Sequence, residues 1–199
     1  MAEQAQELVV PDVGAWRAWL AEHVHEQAGV WLLLAKKGTT EPTSLRYDEA
    51  VLEALCFGWI DGQSIRRDAA TYAIRFTHRR ARSIWSQRNV ELVGGLVERG
   101  LMQPAGQAEI DRAMADGRWE AAYAGPATIT VPDDLTAAIR GDARAAAMFA
   151  ILTSQNRYAI LHRINQIKGV DARARRIEQY VAMLARGETL YRQRRSREK

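Results

Sequence analysis

The chain has 199 residues, 47% hydrophobic and 26% charged, a balance that builds a globular core and argues against a disordered or fibrous protein. The formal net charge of +4 comes mostly from arginine, and the single cysteine excludes an intrachain disulfide or a cysteine-based zinc cage. The start of the chain lacks a basic segment followed by an apolar one, and no apolar run reaches bilayer length; no membrane span is expected, and the expected location is the cytoplasm.

Residues 1–11 read as a flexible lead-in. A helix follows, with Asp12 as N-cap, Trp16, Trp19, Leu20 and His23 at helical spacing, and Gly29 as its stop. VWLLLA, residues 30–35, is an apolar run of strand length, and the polar KKGTTEPTS after it is a loop. The next helix starts near Tyr47, with Asp48 and Glu49 in the first turn, where the helix dipole favours acids; it is apolar nearly all round and ends at Gly58. Residues 59–67 and 71–78 read as a hairpin of two strands joined by RDAA. In the second strand Arg75 and Phe76 point to opposite faces. A helix from Ser83, its cap, to Arg99 carries Gly94 and Gly95 in mid-course, which either weaken it or permit close packing. Another spans 104–116 with Pro104 at its favoured first position.

From Pro132 the texture changes to four helical segments in a row. Asp133, Asp142, Ser154 and Asp171 stand as N-caps, and Gly141, Gly169 and Gly187 as stops. The last two segments form an αα-hairpin in this reading. The fold class is therefore α+β: a small antiparallel three-stranded sheet packed by helices, over residues 12–124, then an all-helical unit over 132–188 and a basic tail over 189–199.

One stretch stands out chemically. Five arginines and no acid lie between Arg75 and Arg88, and a lone carboxylate, Asp61, sits just upstream in the apolar CFGWIDGQ. An acid beside arginines describes an anion pocket or a buried ion pair equally well. As a pocket, it is lined by Trp59, Asp61, Arg75, Arg79, Trp85 and Asn89: Asp61 orients an arginine, Arg75 and Arg79 hold the anion, and Trp85 stacks. As a catalytic pair, Asp61 and His78 exchange a proton on a bound anion. The tryptophans serve equally as core anchors. No metal-ligand spacing, P-loop or dinucleotide fingerprint is present, so no metal or cofactor is expected. The basic C-terminal residues spread round their helices rather than along one face, which disfavours nucleic acid.

VWLLLAKKG, SLRYDEAVLEALCFGWIDG, IRFTHRRARSIWSQRN, RGLMQPAG, GRWEAAY and the C-terminal DDLTAAI, FAIL and IEQYVAMLARGE together resemble the YdeI/OmpD-associated, bacteriocin-protection-like family from about residue 15 to 188. The resemblance implies a soluble bacterial protein linked to protection against antimicrobial peptides or envelope stress. Two places depart from the family pattern: His78 stands where proline is usual, and LHRINQIK replaces a tryptophan-bearing segment. The function expected from residues and resemblance together is non-enzymatic binding or sequestration of an anionic or aromatic small molecule or peptide. An enzyme using Asp61 and His78 is the alternative, and a nucleic-acid binder the third reading.

Overall fold

A computed structural model describes residues 7–25 and 28–193. The chain divides into two compact units, Met1–Ala122 and Tyr123–Lys199. The rest of the expected lead-in, residues 1–6, and of the expected tail, residues 194–199, lies outside the described residues.

The first unit is α+β. Its elements are β1 (Glu7–Leu8), α1 (Val13–Glu22), β2 (Val30–Ala35), α2 (Tyr47–Cys56), β3 (Trp59–Arg66), β4 (Thr71–His78), α3 (Gln87–Glu98) and α4 (Pro104–Ala115). Among the described residues the sheet has four strands in the order β1-β2-β4-β3. It is mixed, where three antiparallel strands were expected: β1 runs parallel to β2, with α1 as the crossover, while β2–β4 and β4–β3 are antiparallel. A two-residue strand carries no alternation to read, so Glu7 and Leu8 passed as lead-in.

Side chains on a strand alternate between faces, and the register sorts them. Val30, Leu32, Leu34, Ile74, Phe76 and Trp59 share one face and are buried with Trp16 and Leu20 of α1 and Ala54 and Leu55 of α2. The opposite face carries Trp31, Leu33, Ala73 and Arg75. The Trp16 ring meets Phe76 edge-on at 5.5 Å, and its Nε1 donates to the Ala50 carbonyl at 3.1 Å, so one residue ties α1 to both sheet and α2.

Two glycines differ in use. Gly58, at φ +78°, follows the last turn of α2 and reverses the chain into β3, as the sequence implied. Gly29 is not a helix stop, since α1 already ends at Glu22. It also lies at positive φ, +69°, and a Cβ there would lie 2.6 Å from the Thr77 side chain and 2.8 Å from the Phe76 carbonyl, so close approach of the chain to β4 adds to the backbone requirement.

α3 begins later than expected. Ser86 is the cap, its Oγ accepting from Asn89 N–H at 3.1 Å, while Ser83 Oγ instead accepts from Arg80 N–H at 2.9 Å and closes a turn. The carbonyls of Ser83 and Ile84 are taken by arginine side chains, which holds residues 83–85 out of the helix. Nothing lies within 4 Å of a Cβ built on Gly94 or Gly95, so close packing is not their use.

The second unit holds α5 (Asp133–Arg140), α6 (Ala143–Ala150), α7 (Ser154–Asn165) and α8 (Val170–Ala185) around Leu135, Ile139, Ile160, Leu161, Ile164, Ile177 and Leu184. Asp142 caps α6 as read, accepting from Arg144 and Ala145 N–H. The other caps sit one or two residues earlier, at Pro132, Thr153 and Gly169, which puts Asp133 and Asp171 in first turns. α8 packs most extensively on α6 rather than forming mainly an α7–α8 hairpin. The expected tail is anchored through Gln193. Asn156, 1% exposed, donates to the Tyr191 carbonyl and to Gln193 Oε1, both at 2.9 Å, and accepts from Tyr191 N–H at 2.8 Å.

Candidate functional site

The residues singled out in sequence fall into separate neighbourhoods. Asp61 and Arg75 cannot share a pocket. Asp61 pairs with Phe76 across β3 and β4 and faces the helices, whereas Arg75 points to the other side of the sheet, where its Nη2 donates to the Ala28 carbonyl at 3.2 Å. A one-residue bulge lies between Asp61 and Ser64, a device that re-aims side chains at strand edges.

Asp61 meets α2 instead. Tyr47 stands at the first position of that helix, in a turn closed by Glu49 Oε2 accepting from Arg46 N–H at 3.0 Å. The Tyr47 hydroxyl donates to Asp61 Oδ2 at 2.7 Å and accepts from Arg88 Nη1 at 3.2 Å. Arg88 projects from the first turn of α3, its guanidinium 5.4 Å from the centre of the Tyr47 ring. Burial pushes the Tyr47 phenol above its ordinary range, the bond to Asp61 acts in the same direction, and Arg88 opposes both. The phenol therefore stays protonated and fixes the polarity: Arg88 to Tyr47 to Asp61. Tyr47 and Asp61 are half-buried, and Arg88 is exposed.

Arg79 and Trp85 form a second, buried group. Arg79 is 4% exposed and Trp85 2%. The Arg79 guanidinium lies 3.5 Å from the indole centre, and Nη1 donates to the Ile84 carbonyl at 3.3 Å. Trp85 meets Trp119 edge-on at 4.9 Å. Arg118, which sequence reasoning passed over, donates Nη1 to the Ser83 carbonyl at 2.7 Å and Nε to Asp116 at 2.8 Å. Two arginines thus clasp consecutive carbonyls of one loop. The sequence offered a signal in GRWEAAY, where Arg118 adjoins Trp119.

Trp59 and His78 share the sheet face of Asp61 but make other contacts, and Asn89 lies at the start of α3. Trp59 is wholly buried, with Trp19 at 5.6 Å and His78 at 5.9 Å, both edge-on. The His78 Nδ1 lies 3.3 Å from the Arg79 carbonyl, and no hydrogen bond joins His78 to Asp61 among the described residues. Asn89 contributes its backbone N–H to the Ser86 cap. Among the described residues no group of three or more His, Cys, Asp or Glu side chains is placed to hold a metal ion, and no helix is long and apolar enough to cross a membrane.

The fold is thus an α+β unit with a polar chain of three side chains at its sheet edge, joined in sequence to a helical unit. The chain belongs to the family described as a domain of unknown function (DUF8412), whose model matches residues 8–109, just over half its length, and residues 128–187 match the family described as Bacteriocin-protection, YdeI or OmpD-Associated. The family resemblance read from sequence is shown over that second stretch, while the CFGWIDG and RFTHRR segments fall within the first match. No curated protein and no solved structure matches the chain.

Proposed function

We propose that this is a binding protein that holds a small molecule or peptide through an anionic group at Arg88. The observation that carries this reading is the bonded series Asp61–Tyr47–Arg88. The carboxylate fixes the phenol, the phenol fixes one guanidinium nitrogen, and the outer edge of the fork is left to solvent. A guanidinium fork held in advance binds carboxylate or phosphate at a smaller entropic cost than a free one. Sequestration is the mode of action that fits both this site and the description of the family matched by residues 128–187.

The test is titration of the full chain with inorganic phosphate, acetate, benzoate and citrate, followed by calorimetry. Removing a charged hydrogen-bond donor costs ~1.5–3 kcal/mol, so Arg88→Ala is expected to weaken binding by roughly tenfold to a hundredfold. Tyr47→Phe keeps the ring and loses both hydrogen bonds, with a smaller loss. Equal affinity in native protein and a folded Arg88→Ala variant, or no binding of any of the four anions, sinks the proposal.

A further inference from the structure

The second unit has a feature that the Arg88 site does not use. α5 and α8 leave between them a groove of about 500 Å³. Its lining follows from helical spacing: positions 170, 173, 174, 177 and 178 fall on one face of α8, and Asp134 and Ala138, four apart, on one face of α5. Ala138, Val170, Ala174 and Ile177 make the floor apolar, and Val170 is 81% exposed. An isolated exposed valine means little, but one that continues an apolar strip inside a groove marks a surface to be covered.

The charges around this strip are not equivalent. Arg173 and Asp134 satisfy each other, Nε to Oδ2 at 2.6 Å and Nη2 to Oδ1 at 3.0 Å, and Arg173 Nη1 also donates to the Ile164 carbonyl at 2.7 Å. That pair is wall rather than recognition group, and it holds the two helices at a fixed spacing. Lys168 and Glu178 are exposed at the two ends of the α8 side, and neither has an ion-pair partner among the described residues. The groove therefore presents a free cation at one end, a free anion at the other and an apolar strip between. From Val170 to Glu178 the helix rises roughly 12 Å at ~1.5 Å per residue. About four residues of extended peptide, at ~3.3 Å each, span that length.

We infer that this groove docks a short extended peptide segment of another protein: an apolar stretch of about four residues with an acidic residue at the Lys168 end and a basic residue at the Glu178 end. Opposite charges at the two ends fix the direction in which the peptide lies. Nucleic acid does not suit the surface, because Glu178 and Asp134 lie along it. Lipid tails would ignore the end charges.

The experiment is selection of a phage-displayed random heptapeptide library on the full chain, with enriched sequences then synthesised, labelled and titrated by fluorescence anisotropy. The expected result is enrichment of acid–apolar–base sequences whose binding weakens about tenfold or more in Val170→Asp. Because Val170 is exposed, that variant is expected to keep the native circular dichroism and melting temperature. The double exchange Lys168→Glu with Glu178→Lys should transfer preference to peptides of reversed polarity. No enriched sequences, binding unchanged in folded Val170→Asp, or enriched apolar sequences indifferent to the charge exchange would each overturn the inference. Arg88→Ala should leave this binding untouched, so its outcome is separable from that of the anion site.

Discussion

Arg79 and Arg88 lie nine residues apart in one arginine-dense stretch, and the fold gives them different uses. Arg79 is buried against Trp85 and holds the Ile84 carbonyl. Arg88 is exposed and is held at a single nitrogen by Tyr47. The difference lies in what surrounds each side chain. A guanidinium is planar and more weakly hydrated than an ammonium, so it stacks inside a core at a smaller desolvation penalty, and it serves equally well at a surface. Arginine density in a sequence therefore shows where charge is concentrated, not whether it is structural.

The comparison breaks most sharply on stability. Arg79→Ala removes a desolvated cation–π contact and a hydrogen bond and leaves a void, for an expected loss of about 3 kcal/mol in urea denaturation. Arg88→Ala is expected to stay within roughly 0.5 kcal/mol of native, as surface changes do. Equal losses in the two variants would erase the distinction. The same logic extends to the second unit, where Asn156 is the buried polar residue. Asn156→Ala leaves Tyr191 N–H without its partner and the Tyr191 carbonyl with Thr189 Oγ1 alone, and the expected loss is about 2 kcal/mol, with protection of the 189–193 amides from hydrogen exchange lost as well.

A smaller effect depends on pH. His162 lies between Tyr123, edge-on at 4.7 Å, and Tyr158, stacked at 5.4 Å, and its Nδ1 is buried without a hydrogen-bond partner among the described residues. Burial, and secondarily Arg163, hold its pKa below the ordinary 6.5. The folded state therefore binds its proton less readily than the unfolded state. The stabilisation by neutral His162 is complete above the unfolded value and is lost as pH falls through it toward the folded one. Urea midpoints should drop on the acid side of 6.5, and His162→Phe should flatten that drop; an unchanged pH profile in the variant would exclude His162 as its source. Last in size is Gly94→Ala. With open space where the Cβ would go, the gain in helix propensity is expected to raise stability by about 0.5–1 kcal/mol. A loss there would mean that α3 uses the glycine for something its surroundings do not reveal.

Most of the elements were legible because their signals are local. Helical spacing of apolar residues gave α1, an apolar run between first-turn acids and Gly58 gave α2, Pro104 marked the start of α4, the RDAA turn gave the β3–β4 hairpin, and Asp68 closes that turn with its Oδ1 accepting from Ala70 and Thr71 N–H at 2.8 and 2.7 Å. What escaped was either too short, as Glu7–Leu8 was, or chosen between equals, as with Ser83 and Ser86. Both serines can cap a helix; Arg79 and Arg118 decide which one does by occupying the carbonyls between them. The candidate site was half legible. Asp61 was singled out as the carboxylate that orients an arginine, and its link to one runs through Tyr47. Tyr47 was read only as a helix start, because its partner lies 14 residues away across a helix, a glycine reversal and the start of a strand.

The sequence by itself determined the α+β then helical order of the chain, the core faces of the long helices and the hairpin, and the place where charge is lopsided. These follow from periodicity, turn chemistry and composition, which act over a few residues. Only the tertiary structure decided that Arg75 and Asp61 face opposite sides of the sheet, that Arg79 is buried against Trp85, and that Arg88 joins Asp61 through a phenol. Those outcomes depend on strand register and helix placement, which are set by the burial of apolar side chains far from the polar residues they bring together.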